Sequence, residues 1–198
     1  MKNASPSRTI AIDIDDTLNN FTEILQGTNF SHDESYPFPA ETFDKYLAML
    51  RKETADEAVL LSREFSFLRQ TINGECFERA VARPDGVEFV RWLREEGWRI
   101  VICTQRDLRR AEGPTRKWLH DNGIPFDYLF IAVDKLAFCK DWGIEHLVDD
   151  HLYSVRFADK YGVNVFYPIM AKHEKSEAQR ARGFRSFNEV RRWIQNWN

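Results

Sequence analysis

The stretch IAIDIDDTLNNF, residues 10–21, runs an apolar segment straight into three acids, Asp13, Asp15 and Asp16. With Thr9 it reads as a short buried strand, TIAIDI over 9–14, β-branched and apolar. Carboxylates at the end of a buried strand are poorly hydrated, and their charge is costly unless something faces it. Acids two apart in an extended chain project to the same side. The spacing therefore predicts that Asp13 and Asp15 serve one site.

Outward from this stretch, a second rhythm begins at Gly86. GVEFVRWLREEG reads as a helix with Phe89, Val90 and Leu93 on one face and Gly97 as its stop. WRIVICT (98–104) reads as a strand, PTRKWLHDNG (114–123) as a helix and YLFIAV (128–133) as a strand. KLAFCKDWG (135–143) follows as a helix and IEHLVDD (144–150) as a strand ending in acids. SVRFADKYG (154–162) and VNVFYP (163–168) complete the alternation. The last helix, over about 187–197, carries Val190, Trp193, Ile194 and Trp197 on one face, with Ser186 and Glu189 as a capping pair. KHEKSEAQRARG (172–183) reads as a solvated loop or helix.

Strands alternating with helices predict an α/β fold, a Rossmann-like parallel sheet with helices on both faces. In such sheets ligands bind beyond the carboxyl ends of the strands. Asp13, Asp15, Thr104, Asp149 and Asp150 all follow strand ends, so the fold class alone gathers them. Residues 20–83 break the rhythm. Phe43, Tyr46, Leu47 and Leu50 have helical spacing, as do Ala58, Leu61, Phe65, Leu68 and Ile72. The reading is a core of 1–19 and 84–198 with a helical cap subdomain over 20–83. The aromatics Phe30, Tyr36, Phe38, Phe65 and Phe67 read as packing inside that cap.

The chain has 198 residues, 43% hydrophobic and 30% charged, with a formal net charge of −3. These values fit a globular protein and give no general affinity for nucleic acid or anionic membrane. No signal-like or membrane-spanning run occurs, which makes the cytoplasm the expected compartment and no membrane the expected partner. Cys76, Cys103 and Cys139 lack metal or redox spacing and read as free thiols.

Several carboxylates converging on one sheet edge repel one another, and a hard divalent cation relieves this. An oxygen-only ligand set suits Mg²⁺. Mg²⁺ among carboxylates points to phosphoryl chemistry, and a carboxylate can itself attack phosphorus. At this point the residues resemble a known family. DIDDT matches the first motif of the haloacid dehalogenase (HAD) superfamily phosphohydrolases, and VICTQR its second. Lys135 in AVDKLAFC and the acids of HLVDD match the third and fourth. The order holds across 9–150, and the insertion stands where that superfamily places a C1-type helical cap.

The resemblance implies that Asp13 is the nucleophile and a Mg²⁺ ligand. Asp15 would be the acid–base, with its backbone carbonyl on the metal. Thr104 would bind the phosphoryl oxygens and Lys135 would offset their charge. Asp150 would bind the metal directly, and Asp149 from behind it or through water. Lys140 is the alternative to Lys135. Asp16 reads as a turn residue, and His151 stays open between structure and function. Within the superfamily the chain resembles the 5′(3′)-deoxyribonucleotidase-like branch. There Phe21 would face the substrate, a nucleoside monophosphate, although core packing reads equally well. CTQR followed by TRKWLHDNGIPFD is similar to phosphatases of polynucleotide 3′ ends, where Arg106 would hold phosphate, although a surface charge reads equally well. A small phosphomonoester is therefore the expected partner and a polynucleotide the alternative. A HAD-like binding protein without activity is the non-enzymatic reading, and oligomeric state is open.

Overall fold

The computed structural model describes residues 8–21, 51–56, 74–106, 108–131, 134–170 and 177–196. Its strands are β1 (Thr9–Ile12), β2 (Arg99–Thr104), β3 (Tyr128–Ile131), β4 (His146–Val148), β5 (Asn164–Pro168) and β6 (Ala181–Phe184). The helices are α1 (Gly74–Arg79), α2 (Pro84–Glu95), α3 (Leu108–Asp121), α4 (Lys135–Asp141), α5 (Leu152–Tyr161) and α6 (Phe187–Gln195). The strands form one sheet in the order β3-β2-β1-β4-β5-β6, and every pairing is parallel.

Alternation along β1 explains the two layers. Ile10 and Ile12 pack with Phe89, Leu93, Trp118, Phe187 and Ile194, from α2, α3 and α6. Ala11 faces the other way, toward Leu136, Cys139, Val155 and Ala158 of α4 and α5. Both faces are covered, which is why these strands are continuous apolar runs rather than alternating ones. Each fully buried Ile, Leu or Phe contributes about 1.5–3 kcal/mol of transfer free energy. At the N-terminal ends of the strands, Arg91 ties α2 to the loop after α3 through the carbonyls of Asn122 and Gly123. Gly123 sits there at φ +60°, a left-handed conformation that favours glycine.

Three elements differ from the sequence reading. The helix expected to begin at Pro114 begins at Leu108, with Pro114 in its interior. Pro is commonest in a first turn, yet the buried residues Ala111 and Thr115 lie on either side of it. Strand β6 replaces part of the expected loop over 172–183. ARGF lacks β-branched apolar residues, and only Phe184 of the four is buried. As an edge strand it is held mainly by its ladder to β5. Finally, β1 ends at Ile12, although the Asp13 amide still donates to Val148 O at 2.9 Å.

The two ends of the segment 20–83 are joined. Asn19 bridges Ala82, the Arg83 amide donates to Leu18 O at 2.8 Å, and the Val81 amide donates to Asn20 Oδ1 at 2.9 Å. The helical spacings expected at 43–50 and 58–72, and the aromatics Phe30, Tyr36, Phe38, Phe65 and Phe67, lie outside the described residues. So does Trp197, while Val190 and Ile194 of the same face are buried. Among the described residues no helix is long and apolar enough to cross a membrane.

Candidate active site

The strand order places β1 centrally, with β2 and β4 beside it. Their carboxyl ends bring Asp13, Thr104, Asp149 and Asp150 to one edge, and all four are buried. Lys135 reaches the same place from the first turn of α4. Asp134 caps that helix by accepting from the Ala137 amide at 2.9 Å, which fixes where Lys135 begins.

Lys135 Nζ lies 2.9 Å from Asp13 Oδ1 and donates to Asp149 Oδ1 at 2.7 Å. The contact to Asp13 is ionic and lies outside hydrogen-bond geometry, so Asp13 Oδ1 has no hydrogen-bond partner among the described residues. Burial pushes the Asp13 carboxyl well above the usual carboxylate range. Lys135 works against this, and Asp149, Asp150 and Asp15 add to it. Burial alone would lower the Lys135 ammonium, but Asp13, Asp149 and Asp150 outweigh it and hold the charge firmly.

Asp13, Asp149 and Asp150 each offer an oxygen within 4.8 Å of the others. Three carboxylates and one ammonium leave a net charge of −2, the complement of one divalent cation. Asp13 Oδ1, in ionic contact with Lys135 but without a hydrogen bond among the described residues, and the all-oxygen donor set fit Mg²⁺. The oxygens of Asp149 are already engaged, Oδ1 by Lys135 and Oδ2 by the Ser154 hydroxyl. Asp150 accepts a long 3.4 Å contact from Thr17 Oγ1, and its amide donates back to that hydroxyl at 3.1 Å. Thr104 Oγ1 is buried with no hydrogen-bond partner among the described residues. A buried hydroxyl calls for a partner, and a bound ligand or an ordered water can supply it.

Asp15 stands apart from the three clustered acids. Its carboxylate accepts from Arg106 Nε at 2.7 Å and Nη2 at 2.5 Å, and from Asn19 Nδ2 at 3.2 Å. Asn19 in turn accepts from the amides of Asp16 and Phe21, which closes the DDTLNNF turn on itself. Asp16 adopts φ 58° in that turn, a conformation aspartate tolerates better than most residues. Phe21 is buried and stacks on Phe77 of α1 at 5.4 Å. Lys140 is exposed and lies over the Tyr161 ring. His151 is exposed at the N-cap position of α5.

The sequence reading did not single out Asn19, Thr17, Ser154, Thr115 or Phe77. For Asn19 and Thr17 a signal existed, since Asx and Thr side chains beside a strand-end acid close local turns. Ser154, Thr115 and Phe77 meet the site only through the tertiary fold. Cys103 and Cys139 are buried free thiols, with burial pushing the Cys139 thiol up to about 12.

No protein-family model and no curated protein matches the sequence. Solved structures do match. The L-2-haloacid dehalogenase from Xanthobacter autotrophicus aligns with a TM-score of 0.62 at 13% identity, over 98% of this chain and 100% of that one. A HAD phosphatase from Thermococcus onnurineus aligns with a TM-score of 0.61 at 16% identity, over 94% and 97%. A HAD-superfamily hydrolase from Ehrlichia chaffeensis aligns with a TM-score of 0.50 at 15% identity, over 96% and 98%. At these identities the similarity shows a shared fold, the α/β fold of HAD-type proteins.

Proposed function

We propose that this chain is a Mg²⁺-dependent phosphomonoester hydrolase of the HAD superfamily, working through an aspartyl-phosphate on Asp13. The observation that carries the reading is the separation of its acids. Asp13 lies in a cation-demanding cluster with Lys135, Asp149 and Asp150, while Asp15 is held elsewhere by Arg106. Displacing halide needs no proton donor, because halide is a stable leaving anion. Expelling an alkoxide needs one. A second, separately held acid and a set of metal-fitting carboxylates suit phosphate esters better than haloacids.

In the first step an Asp13 oxygen forms a bond to phosphorus while the ester P–O bond breaks, and Asp15 gives its proton to the departing oxygen. In the second, Asp15 takes a proton from water as the water oxygen bonds phosphorus and the Asp13–phosphorus bond breaks. Lys135 holds the Asp13 carboxylate, and Thr104 Oγ1 donates to a phosphoryl oxygen. Asp13 and Asp150 would hold the Mg²⁺, together with the Asp15 backbone carbonyl, and Asp149 would brace them from behind. When bound, the ion stabilises the charge developing on the phosphoryl oxygens.

The substrate we infer is a nucleoside monophosphate, as in the 5′(3′)-deoxyribonucleotidase-like branch. This substrate class rests on the resemblance to that branch, since Phe21 itself packs with Phe77, Ala80 and Ala111 in a buried cluster. A panel of nucleotides, sugar phosphates, aryl phosphates and 3′-phosphorylated oligonucleotides, assayed with Mg²⁺, tests both levels. Preference for nucleotides is the expected result. Preference for oligonucleotides would reject the substrate class, and no turnover across the panel would reject the hydrolase.

A further inference from the structure

The sequence placed Arg106 on substrate phosphate, but its surroundings point to a different task. Its side chain is 1% exposed. Nε and Nη2 grip the two oxygens of Asp15, Nη1 donates to Thr115 Oγ1 at 2.7 Å, and the guanidinium carbon lies 4.0 Å over the Phe77 ring. Each element of this clamp comes from a different part of the chain. Asp15 follows β1, Arg106 follows β2, Thr115 belongs to α3 and Phe77 to α1. The Nε–Nη2 fork is occupied by Asp15, so a phosphate could take that fork only by displacing the carboxylate.

We propose that Arg106 is a positioning residue for Asp15: together with Asn19 it fixes the carboxylate so that Oδ2 alone exchanges the proton with the leaving oxygen. This rests on the phosphohydrolase reading above. Each carboxylate oxygen has two lone pairs. Oδ1 accepts from both Arg106 Nη2 and Asn19 Nδ2, which fills it. Among the described residues Oδ2 accepts from Arg106 Nε alone, which leaves one lone pair open. A planar fork sets the carboxylate plane as well as its position, which a single ammonium cannot do. Thr115 and Phe77 immobilise the fork in turn, one by a hydrogen bond at its tip and the other against its face.

The test compares two aryl phosphates with Mg²⁺. 4-Nitrophenolate leaves without protonation, whereas phenolate gains from it, so their ratio reports on the acid. Arg106→Lys keeps the charge and loses the fork. Because general acid catalysis contributes about 10²–10⁴-fold, kcat/KM for phenyl phosphate should fall about tenfold or more beyond the fall for 4-nitrophenyl phosphate. KM should stay nearly constant for both. Thr115→Val, which loosens the fork without touching Asp15, should move the same ratio in the same direction, and decides the matter if Arg106→Lys fails to melt cooperatively. Equal losses on both esters would assign Arg106 to structure alone. A rise in KM on both with kcat retained would return it to substrate phosphate. Either result overturns the proposal while leaving the hydrolase standing. Absence of turnover by the wild-type protein on either ester overturns the hydrolase reading, and this proposal with it.

Discussion

Replacing Thr104 by Val should stabilise the protein and impair it at once. The Thr104 hydroxyl is buried at the end of β2 without a hydrogen-bond partner among the described residues. Leaving a buried hydroxyl unpaired costs about 1–3 kcal/mol, and the valine methyl adds about 0.8 kcal/mol of apolar burial. Valine also suits a strand. A gain of about 2–4 kcal/mol is expected, which raises Tm by about 4–16 °C for a domain of this size. The same hydroxyl, donating to a charged phosphoryl group, is worth about 1.5–3 kcal/mol in the transition state. Its loss should lower kcat/KM on an aryl phosphate by about 10- to 100-fold. Thermal melts without ligand and initial rates with Mg²⁺ measure the two quantities on the same preparation. A lowered Tm would mean the hydroxyl is satisfied in the native state. An unchanged rate would mean it does not touch the phosphoryl group. Either would break the reasoning that links its isolation to function.

Other perturbations follow from the same geometry. Adding Mg²⁺ should raise Tm, by about 2.7 kcal/mol of linkage at a hundredfold excess over its dissociation constant, and Asp150→Asn should remove most of that shift. Lys135→Met should destabilise the metal-free protein by about 3–5 kcal/mol, because it leaves Asp13 and Asp149 facing each other unpaired in a buried space; denaturant midpoints at constant slope measure it. His146 is buried between Trp98 and Phe166, and burial lowers its folded pKa below the ordinary histidine value of 6.5. The unfolded chain then binds the proton more readily, so the contribution of neutral His146 is complete above that value and is lost as pH falls below it. Relative to His146→Phe, the wild-type Tm should therefore fall from neutral pH toward acid, and parallel curves for the two would refute the assignment.

The parallel sheet and its helices were legible because buried strands must be apolar and amphipathic helices must be periodic. The alternation from Gly86 to Pro168 carried both signals, and the acids followed because strand ends coincide with charge. Strand β6 was not legible, since ARGF is stabilised by its ladder to β5 and by Phe184 rather than by its composition. Helix α3 was misplaced at its start because Pro114 imitates a first-turn residue. At the site, Asp13, Asp150, Lys135 and Thr104 carry local motifs that point to them. The pairing of Arg106 with Asp15, across 91 residues, exists only once β1 and β2 lie side by side. No local pattern encodes it.

The central claim is that Asp13 becomes covalently phosphorylated, and trapping that species tests it most directly. Protein mixed with Mg²⁺ and an aryl phosphate, quenched rapidly in acid and digested, should yield the peptide containing Asp13 heavier by one phosphoryl group. Asp13→Asn should abolish both the adduct and phosphate release while keeping a cooperative melt. Turnover with no adduct on Asp13, or halide release from an L-2-haloacid in place of phosphate release from esters, would contradict the account.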